Sequence, residues 1–324
     1  MMGKKQFHHL TSYSKHDDFD DYLISLMTEK HGQRFIDYRK DWNNASQLDH
    51  VPKFPLMIGV ETIDRCNYVC GHCYRAHHKG SDAKISHEDF KRVVDEGVSF
   101  NLPSLIFGGG SEPLLHPKAM DMVQYALTSG IMDVLLSTNA VPLTHEKIDN
   151  LLDWGLTRIG ISLDAATPET YKLVRGGNLE AVESNIRYLI EQKEKRNLRL
   201  PILRVSFVIQ KENEHEQELF LDKWKDVADK VDFQKFLDFS SVDDLKKVES
   251  DSFFCSQAWE RVNIWSTGDV SPCCTFYGKH HLYGNIKTQS IKEIWDSSKT
   301  QQLRQSIKNS KPPLSCLNCY GNLK

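Results

Sequence analysis

LMIGVETIDRCNYVCGHCYR, residues 56–75, runs an apolar, strand-like segment straight into three cysteines. Cys66, Cys70 and Cys73 are spaced C-x3-C-x2-C, so three thiolates arise from one loop at a strand end and can converge on one site. A four-iron cluster on three thiolates keeps one iron open to a small chelating molecule. Zinc would want a fourth protein ligand, for which His72, His77 and His78 are at hand, or would keep a water. The loop by itself leaves both readings open.

Outward from this loop the chain alternates. SLIF (104–107), MDVLLST (132–138), TRIGISL (157–163), PILRVSFVI (201–209) and VDFQKFLDF (231–239) repeat the strand signal. Helical stretches separate them: 86–99, opened by SHED with Ser86 as N-cap; about 117–129; one starting near Thr144; one capped by Thr167 with Pro168 at its first position; then 179–195 and 213–229. The strands read as continuous apolar runs, the pattern of a parallel sheet covered on both faces. Six units are too few for a closed eight-fold barrel. The expected fold is α/β, a partial (β/α)6 TIM-like barrel or a doubly wound sheet, with chemistry at the C-terminal strand ends.

Residues 1–55 read as a helical N-terminal extension stopped by VPKFP, residues 56–245 as the alternating core, and 246–324 as a separate C-terminal unit. In the last part ERVNIWSTGDVSPCC reads as a hairpin turning at Ser266–Asp269. SIKEIWDSSKTQQLRQSI reads as one helix with a Ser290–Glu293 capping box. The chain's 324 residues carry a net charge of −3, which recommends no nucleic-acid partner. No apolar run approaches the ~20 residues of a membrane span, and the start has no signal-type stretch. A cytoplasmic protein with reduced thiols is expected, in which eight cysteines speak for metal rather than disulfides.

The remaining cysteines lie beyond a 181-residue gap without any. Cys255, Cys273, Cys316 and Cys319 offer four ligands, for zinc or for a second cluster, and Cys274 is left over.

The C-x3-C-x2-C loop, FGGGSEPLLHP (107–117), STNA (137–140) and ISLDA (161–165) stand at four successive strand ends and together resemble the radical SAM superfamily. That resemblance covers about residues 57–240. It implies a 4Fe–4S cluster on Cys66, Cys70 and Cys73 that binds S-adenosylmethionine (SAM) and yields a 5′-deoxyadenosyl radical. It places His72, Gly110, Ser111, Glu112, Asn139, Ser162 and Arg175 around the SAM, Glu112 receiving the methionine ammonium and Arg175 its carboxylate. Ser111 departs from the glycine usual before the acid, which puts the backbone there in doubt. The C-terminal region is similar to the SPASM/twitch extension, in its shorter twitch form a β-hairpin plus helix. This implies one auxiliary 4Fe–4S cluster on Cys255, Cys273, Cys316 and Cys319.

Cys274 then reads either as a small buried residue beside that cluster or as a catalytic hydrogen-atom donor. The family implies a small-molecule substrate and an electron donor such as flavodoxin or ferredoxin. Expected chemistry is oxidation of a carbinol in a sugar, aminocyclitol or similar metabolite. Alternatives are radical epimerisation through Cys274 and peptide modification of the RiPP-maturase type, which the short stretch before the first strand disfavours. Lys235 and Asp238 are candidate bases, but three residues apart on a strand they face opposite ways.

Overall fold

The computed structural model describes residues 9–240, 242–247 and 253–322. The described residues open with a strand, His9–Tyr13 (β1), then helices Phe19–His31 and Gln33–Ser46. Gly32, at φ +60°, breaks the pair, a backbone angle at which a side chain is strained. Six parallel strands follow: Met57–Val60 (β2), Ser104–Phe107 (β3), Asp133–Thr138 (β4), Arg158–Ser162 (β5), Ile202–Ile209 (β6) and Lys230–Lys235 (β7). Arg261–Ile264 (β8), Asp269–Ser271 (β9) and Gly284–Asn285 (β10) complete the sheet. Its order is β1-β7-β6-β5-β4-β3-β2-β8-β9-β10.

From β2 to β7 each strand lies beside its predecessor, with no reversal. A doubly wound sheet reverses direction once. Uninterrupted right-handed crossovers instead put every helix on the same face and leave the other face free to curl inward. The α/β fold is thus of the partial-barrel kind.

The side chains follow. Ile58, Val60, Leu105, Phe107, Val134, Leu136, Ile159, Ile161, Val205, Phe207 and Val231 alternate onto the helix-covered face, each at most 1 % exposed. The other parity presents Gly59, Ile106, Leu135, Ser137, Gly160, Ser162, Arg204, Ser206 and Asp232. The strands are therefore not uniformly apolar, contrary to the expectation from sequence of continuous apolar runs. One face is a packed core, and the other is lined by small and polar residues, the composition of a lumen. Tyr38 and Trp42, from helix Gln33–Ser46, meet the N-terminal end of that inner face. Trp42 carries the Arg261 guanidinium at 5.3 Å, and Tyr38 lies in the field of Asp133 and Arg158.

Further differences from the sequence reading are local. The lead-in is not wholly helical, because β1 pairs antiparallel with β7 as an edge strand. Residues 213–229 form a 3₁₀ turn, Glu214–Glu216, and helix Gln217–Trp224. The helix expected from Ser290 has its full capping box but stops at Trp295. Ser297 then caps a second helix, Ser298–Lys308. Strand β8, from the C-terminal region, pairs in parallel with β2 and so extends the core sheet.

Candidate active site

The first cysteine group sits on the loop leaving β2. Cys70 is buried, and Cys66 and Cys73 are half-buried. Burial and the neighbouring thiols push the Cys70 thiol up to about 11 and Cys66 in the same direction. Thiolates gathered in this way need a cation to offset their burial. Donors already point at Cys66: the Tyr68 N–H at 3.5 Å and Asn139 Nδ2 at 3.8 Å. Arg75 clamps the loop by donating to the Gly110 carbonyl and to Asp64, whose other oxygen accepts from the Ser81 N–H and hydroxyl, each at 2.8 Å.

His72 is not turned to the thiols. Gln210 Nε2 donates to its Nδ1 at 3.3 Å, which leaves the ring proton on Nε2 facing Asp164 at 3.3 Å. His78 stacks on Tyr74 and approaches Asp243, and His77 is exposed. The histidines that a zinc reading would use are therefore engaged elsewhere or at the surface. Among the described residues no three His, Cys, Asp or Glu side chains form a single-ion site. Three thiolates on one loop fit a four-iron cluster with an open corner.

The other sequence-selected residues ring this loop. Gly109, at φ +138°, lies where an added Cβ would meet the Glu61 Cβ at 3.4 Å, and one on Gly110 would strike the Phe276 ring. Ser111 is partly exposed. Glu112 is 1 % exposed and accepts from the Leu114 N–H (3.1 Å), the Thr138 hydroxyl (2.8 Å) and the Asn139 N–H (2.7 Å). Three of its roughly four acceptor positions are thus spent tying the β3 and β4 ends together. One remains for an ammonium. Asn139 also donates to Asn67 at 2.8 Å. Ser162 is half-buried, in register with Ser206. Arg175 is buried and donates to Asp164 at 2.8 Å, while its Nε has no partner.

Sequence reasoning passed over Asp164, which accepts from the Val208 N–H, Arg175 and His72 at once. It lies inside the quoted ISLDA segment. Its φ of +61°, which aims the side chain, has no sequence signature.

In the second group, helix Leu314–Asn322 carries Cys316 and Cys319 three residues apart, hence on neighbouring positions of one face. The hairpin brings Cys273, and Cys255 precedes the short helix Gln257–Glu260. Cys255 feels the charge of all three others, and burial raises Cys319 to about 12. The Thr275 hydroxyl lies 3.4 Å from Cys273 Sγ and 3.9 Å from Cys319 Sγ. A Cβ on Gly278 would come within 2.7 Å of Cys273 Sγ. The Tyr283 hydroxyl is buried without a protein partner, in the field of Cys255, Cys273 and Cys316. Four converging thiols, an orphan donor and a cradle that admits no methyl fit a closed, fully protein-held cluster. Cys274 is exposed beside this group, its charge felt by Cys273 and Cys319.

A small aromatic core joins the two sites. Tyr74, next to Cys73, stacks on Phe276 with ring centroids 3.6 Å apart, and Phe276 packs on Trp265. The Lys279 ammonium lies 4.1 Å from the Trp265 ring centroid. On the lumen face nearby, Glu61 is 2 % exposed. Its Oε2 accepts from the Ser266 hydroxyl at 2.9 Å, and its Oε1 has no partner. Burial pushes its carboxyl up, which the Lys279 charge offsets only in part. The candidate bases from sequence lie elsewhere. Lys235 shares the helix-covered parity of Val231 and Phe233, and Asp238 is exposed, accepting from the Ser240 N–H at 2.8 Å.

A partial barrel with a three-thiolate loop at its strand ends and a four-thiolate site beside it defines an iron–sulfur enzyme. The radical SAM superfamily model matches residues 60–222, and the SPASM model, an iron-sulfur cluster-binding domain, matches residues 255–320. The chain belongs to the radical SAM superfamily and carries a C-terminal SPASM auxiliary-cluster domain. Its cofactors are SAM, a SAM-binding 4Fe–4S cluster and auxiliary 4Fe–4S chemistry.

The tungsten-containing aldehyde ferredoxin oxidoreductase cofactor-modifying protein of Pyrococcus furiosus is 24 % identical over 309 residues, covering 80 % of this chain and 86 % of that protein. Among solved structures, Streptococcus suis SuiB bound to precursor peptide SuiA aligns with TM-score 0.61 at 14 % identity, covering 87 % of this chain and 75 % of that one. BtrN in complex with AdoMet and 2-DOIA aligns with TM-score 0.54 at 18 % identity, covering 81 % and 92 %. At these identities the structures speak for the fold. Among the described residues no helix is long and apolar enough to cross a membrane.

Proposed function

We propose that the enzyme oxidises a carbinol of a small polar metabolite, a sugar, aminocyclitol or similar molecule, held in the lumen. Bound on Cys66, Cys70 and Cys73 and on Cys255, Cys273, Cys316 and Cys319, the cofactors supply a hydrogen-abstracting 5′-deoxyadenosyl radical and an electron acceptor. Oxidation removes a hydrogen atom, an electron and a proton from H–C–O–H, and only the proton needs a protein base.

Glu61 carries this reading. It is a buried lumen-face carboxylate beside the glycine-rich segment, with one oxygen free and its proton affinity raised by burial toward the working pH of a general base. Asn263, two residues deeper on the adjoining strand, adds an unpartnered Nδ2 for a second substrate oxygen. Ser137, Ser162, Ser206 and Arg204 give the same face the polarity that a hydroxylated molecule needs. In this arrangement Asn139 and Arg175 border the SAM, and Glu112 fixes the segment that receives its ammonium.

The test is anaerobic turnover with SAM, a strong reductant and a metabolite extract of the source cell in deuterated water. A product lighter by two hydrogens is expected. Glu61→Gln should keep SAM cleavage and lose that product. A product of unchanged formula with one carbon-bound deuterium, abolished by Cys274→Ala, would replace this reading by epimerisation. Cys274 is exposed beside the auxiliary thiols, so it is not the small buried residue expected from sequence, and the deuterium result decides whether it donates hydrogen. Peptide modification is the second reading, favoured by the fold shared with SuiB, which was solved with its precursor peptide. A mass change confined to peptides of the extract would select it.

A further inference from the structure

Beside the second cysteine group, one buried hydroxyl carries a proton that no protein atom accepts. Tyr283 is 3 % exposed, and its phenol oxygen makes no hydrogen bond. Its place in the chain is fixed: its own N–H donates to the Val270 carbonyl at 2.8 Å, and the next residue, Gly284, pairs with Val270 between β9 and β10. Burial holds the phenol well above its ordinary pKa, so the O–H keeps its proton at neutral pH. A buried donor without an acceptor forfeits its hydration with no return, and native chains rarely leave one so.

The charged groups whose field reaches this hydroxyl are of two kinds. One is Arg304. Its guanidinium carbon lies 4.0 Å from the Trp295 ring centroid, its Nε donates to the Ala258 carbonyl at 2.8 Å, and its Nη2 is buried without a partner. Burial brings Arg304 down to about 10, which leaves it charged at neutral pH. A guanidinium has five donors and no acceptor, so it cannot take the Tyr283 proton. The other kind is the thiols of Cys273, Cys316 and Cys255. Sulfur there, as thiolate or within a cluster, can only accept. The cation turns the proton end of the phenol away, and the sulfurs draw it in. The Thr275 hydroxyl stands within 3.4 Å of Cys273 Sγ and 3.9 Å of Cys319 Sγ, so the two hydroxyls between them neighbour all four thiols.

We propose that Tyr283 donates its O–H to a sulfur of the auxiliary cluster, and so holds that cluster at a more positive potential than four thiolates alone would set. A hydrogen bond at sulfur offsets the negative charge that an added electron brings, and a dry surrounding strengthens it. One consequence rests on the carbinol reading: there the substrate radical gives one electron to the auxiliary cluster and one proton to Glu61, leaving a carbonyl. A more positive acceptor favours that transfer.

The experiment is a redox titration of the reconstituted full chain, without SAM or substrate, followed by low-temperature electron paramagnetic resonance. Tyr283→Phe keeps the ring and removes only the hydroxyl. At the potential that half-reduces the wild-type auxiliary cluster, the reduced-to-oxidised ratio should be about tenfold lower in the variant, a midpoint about 59 mV more negative. The midpoint of the first cluster should not move. In the reduced wild type, electron–nuclear double resonance should show a proton coupling that exchanges in deuterated water and is missing from Tyr283→Phe. An auxiliary midpoint unchanged or more positive in Tyr283→Phe would overturn the proposal, as would an equal shift at both clusters. So would a reduced wild-type auxiliary cluster without any exchangeable coupling, whatever the variant does. If Tyr283 served only as packing, Tyr283→Leu would move the midpoint and Tyr283→Phe would not. None of these results bears on carbinol oxidation, because no substrate is present.

Discussion

The two cysteine groups solve one problem in opposite ways. The N-terminal group collects three thiolates within eight residues of a single loop, and polar ties from Arg75, Asn139 and Asp64 hold that loop from outside. The C-terminal group draws four thiolates from a span of 65 residues, and packing holds them: a helix face, a hairpin, Gly278 and the buried Tyr283. A local loop can leave a corner of its cluster open for exchange with SAM. A site assembled from distant segments is closed by construction. The difference teaches that ligand number here follows chain topology, and that reactivity follows ligand number.

The sharpest break between the groups is expected from Cys66→Ala against Cys255→Ala. The first should abolish SAM cleavage. The second should retain uncoupled cleavage to 5′-deoxyadenosine while losing substrate-derived product, both read by chromatography. Complete loss in both with intact folding would argue against separate roles. Next in size is Gly278→Ala. With 2.7 Å between the new methyl and Cys273 Sγ, overpacking costs about 1–3 kcal/mol, and iron per chain should fall selectively at the auxiliary site. Low-temperature electron paramagnetic resonance, which resolves the two signals, checks this.

Arg75→Ala should act on the other group. Without its ties to Gly110 and Asp64 the first cluster should release iron to a chelator several-fold faster, the auxiliary signal being unchanged.

The smallest effect is a pH dependence at Glu61. Because burial raises its carboxyl, the folded chain holds a proton that the unfolded chain gives up in the ordinary carboxylate range. Stability from this group is therefore full at acid pH and declines as pH rises toward the raised folded value. Glu61→Gln removes that decline. Its melting temperature should gain on the wild type as pH rises above the ordinary carboxylate range. A parallel pair of curves would mean that Glu61 is ionised at no cost.

Much of this was legible in the chain, for reasons that differ by residue. The C-x3-C-x2-C loop, the Ser86 and Thr167 caps and the Ser290–Glu293 box are local patterns, and local physics places them. Strand β1 was not legible, because an edge strand such as HLTSY is held by backbone bonds to β7 and needs no apolar alternation. The inner face was misjudged because Ile106 and Leu135 keep β3 and β4 apolar on both parities, hiding the glycine and serine positions. Glu61, Arg75, Asp164 and Tyr283 gain their roles only from partners far along the chain. His72 stands amid the cysteines in sequence, yet Asp164 and Gln210 draw it away.

The parallel pairing of β2 with β8 has a consequence for synthesis. Met57 waits for Arg261, and Val60 for Ile264, about 200 residues later. While the ribosome is still making the intervening chain, β2 carries a bare edge, open to strands of other nascent molecules. The thiols of the first loop are translated long before the segment that covers that edge. Iron supplied early would thus meet a loop on an unfinished sheet, whereas the second site has no complete ligand set until Cys319 emerges. Translation order alone sets the sequence in which the two sites become able to receive iron.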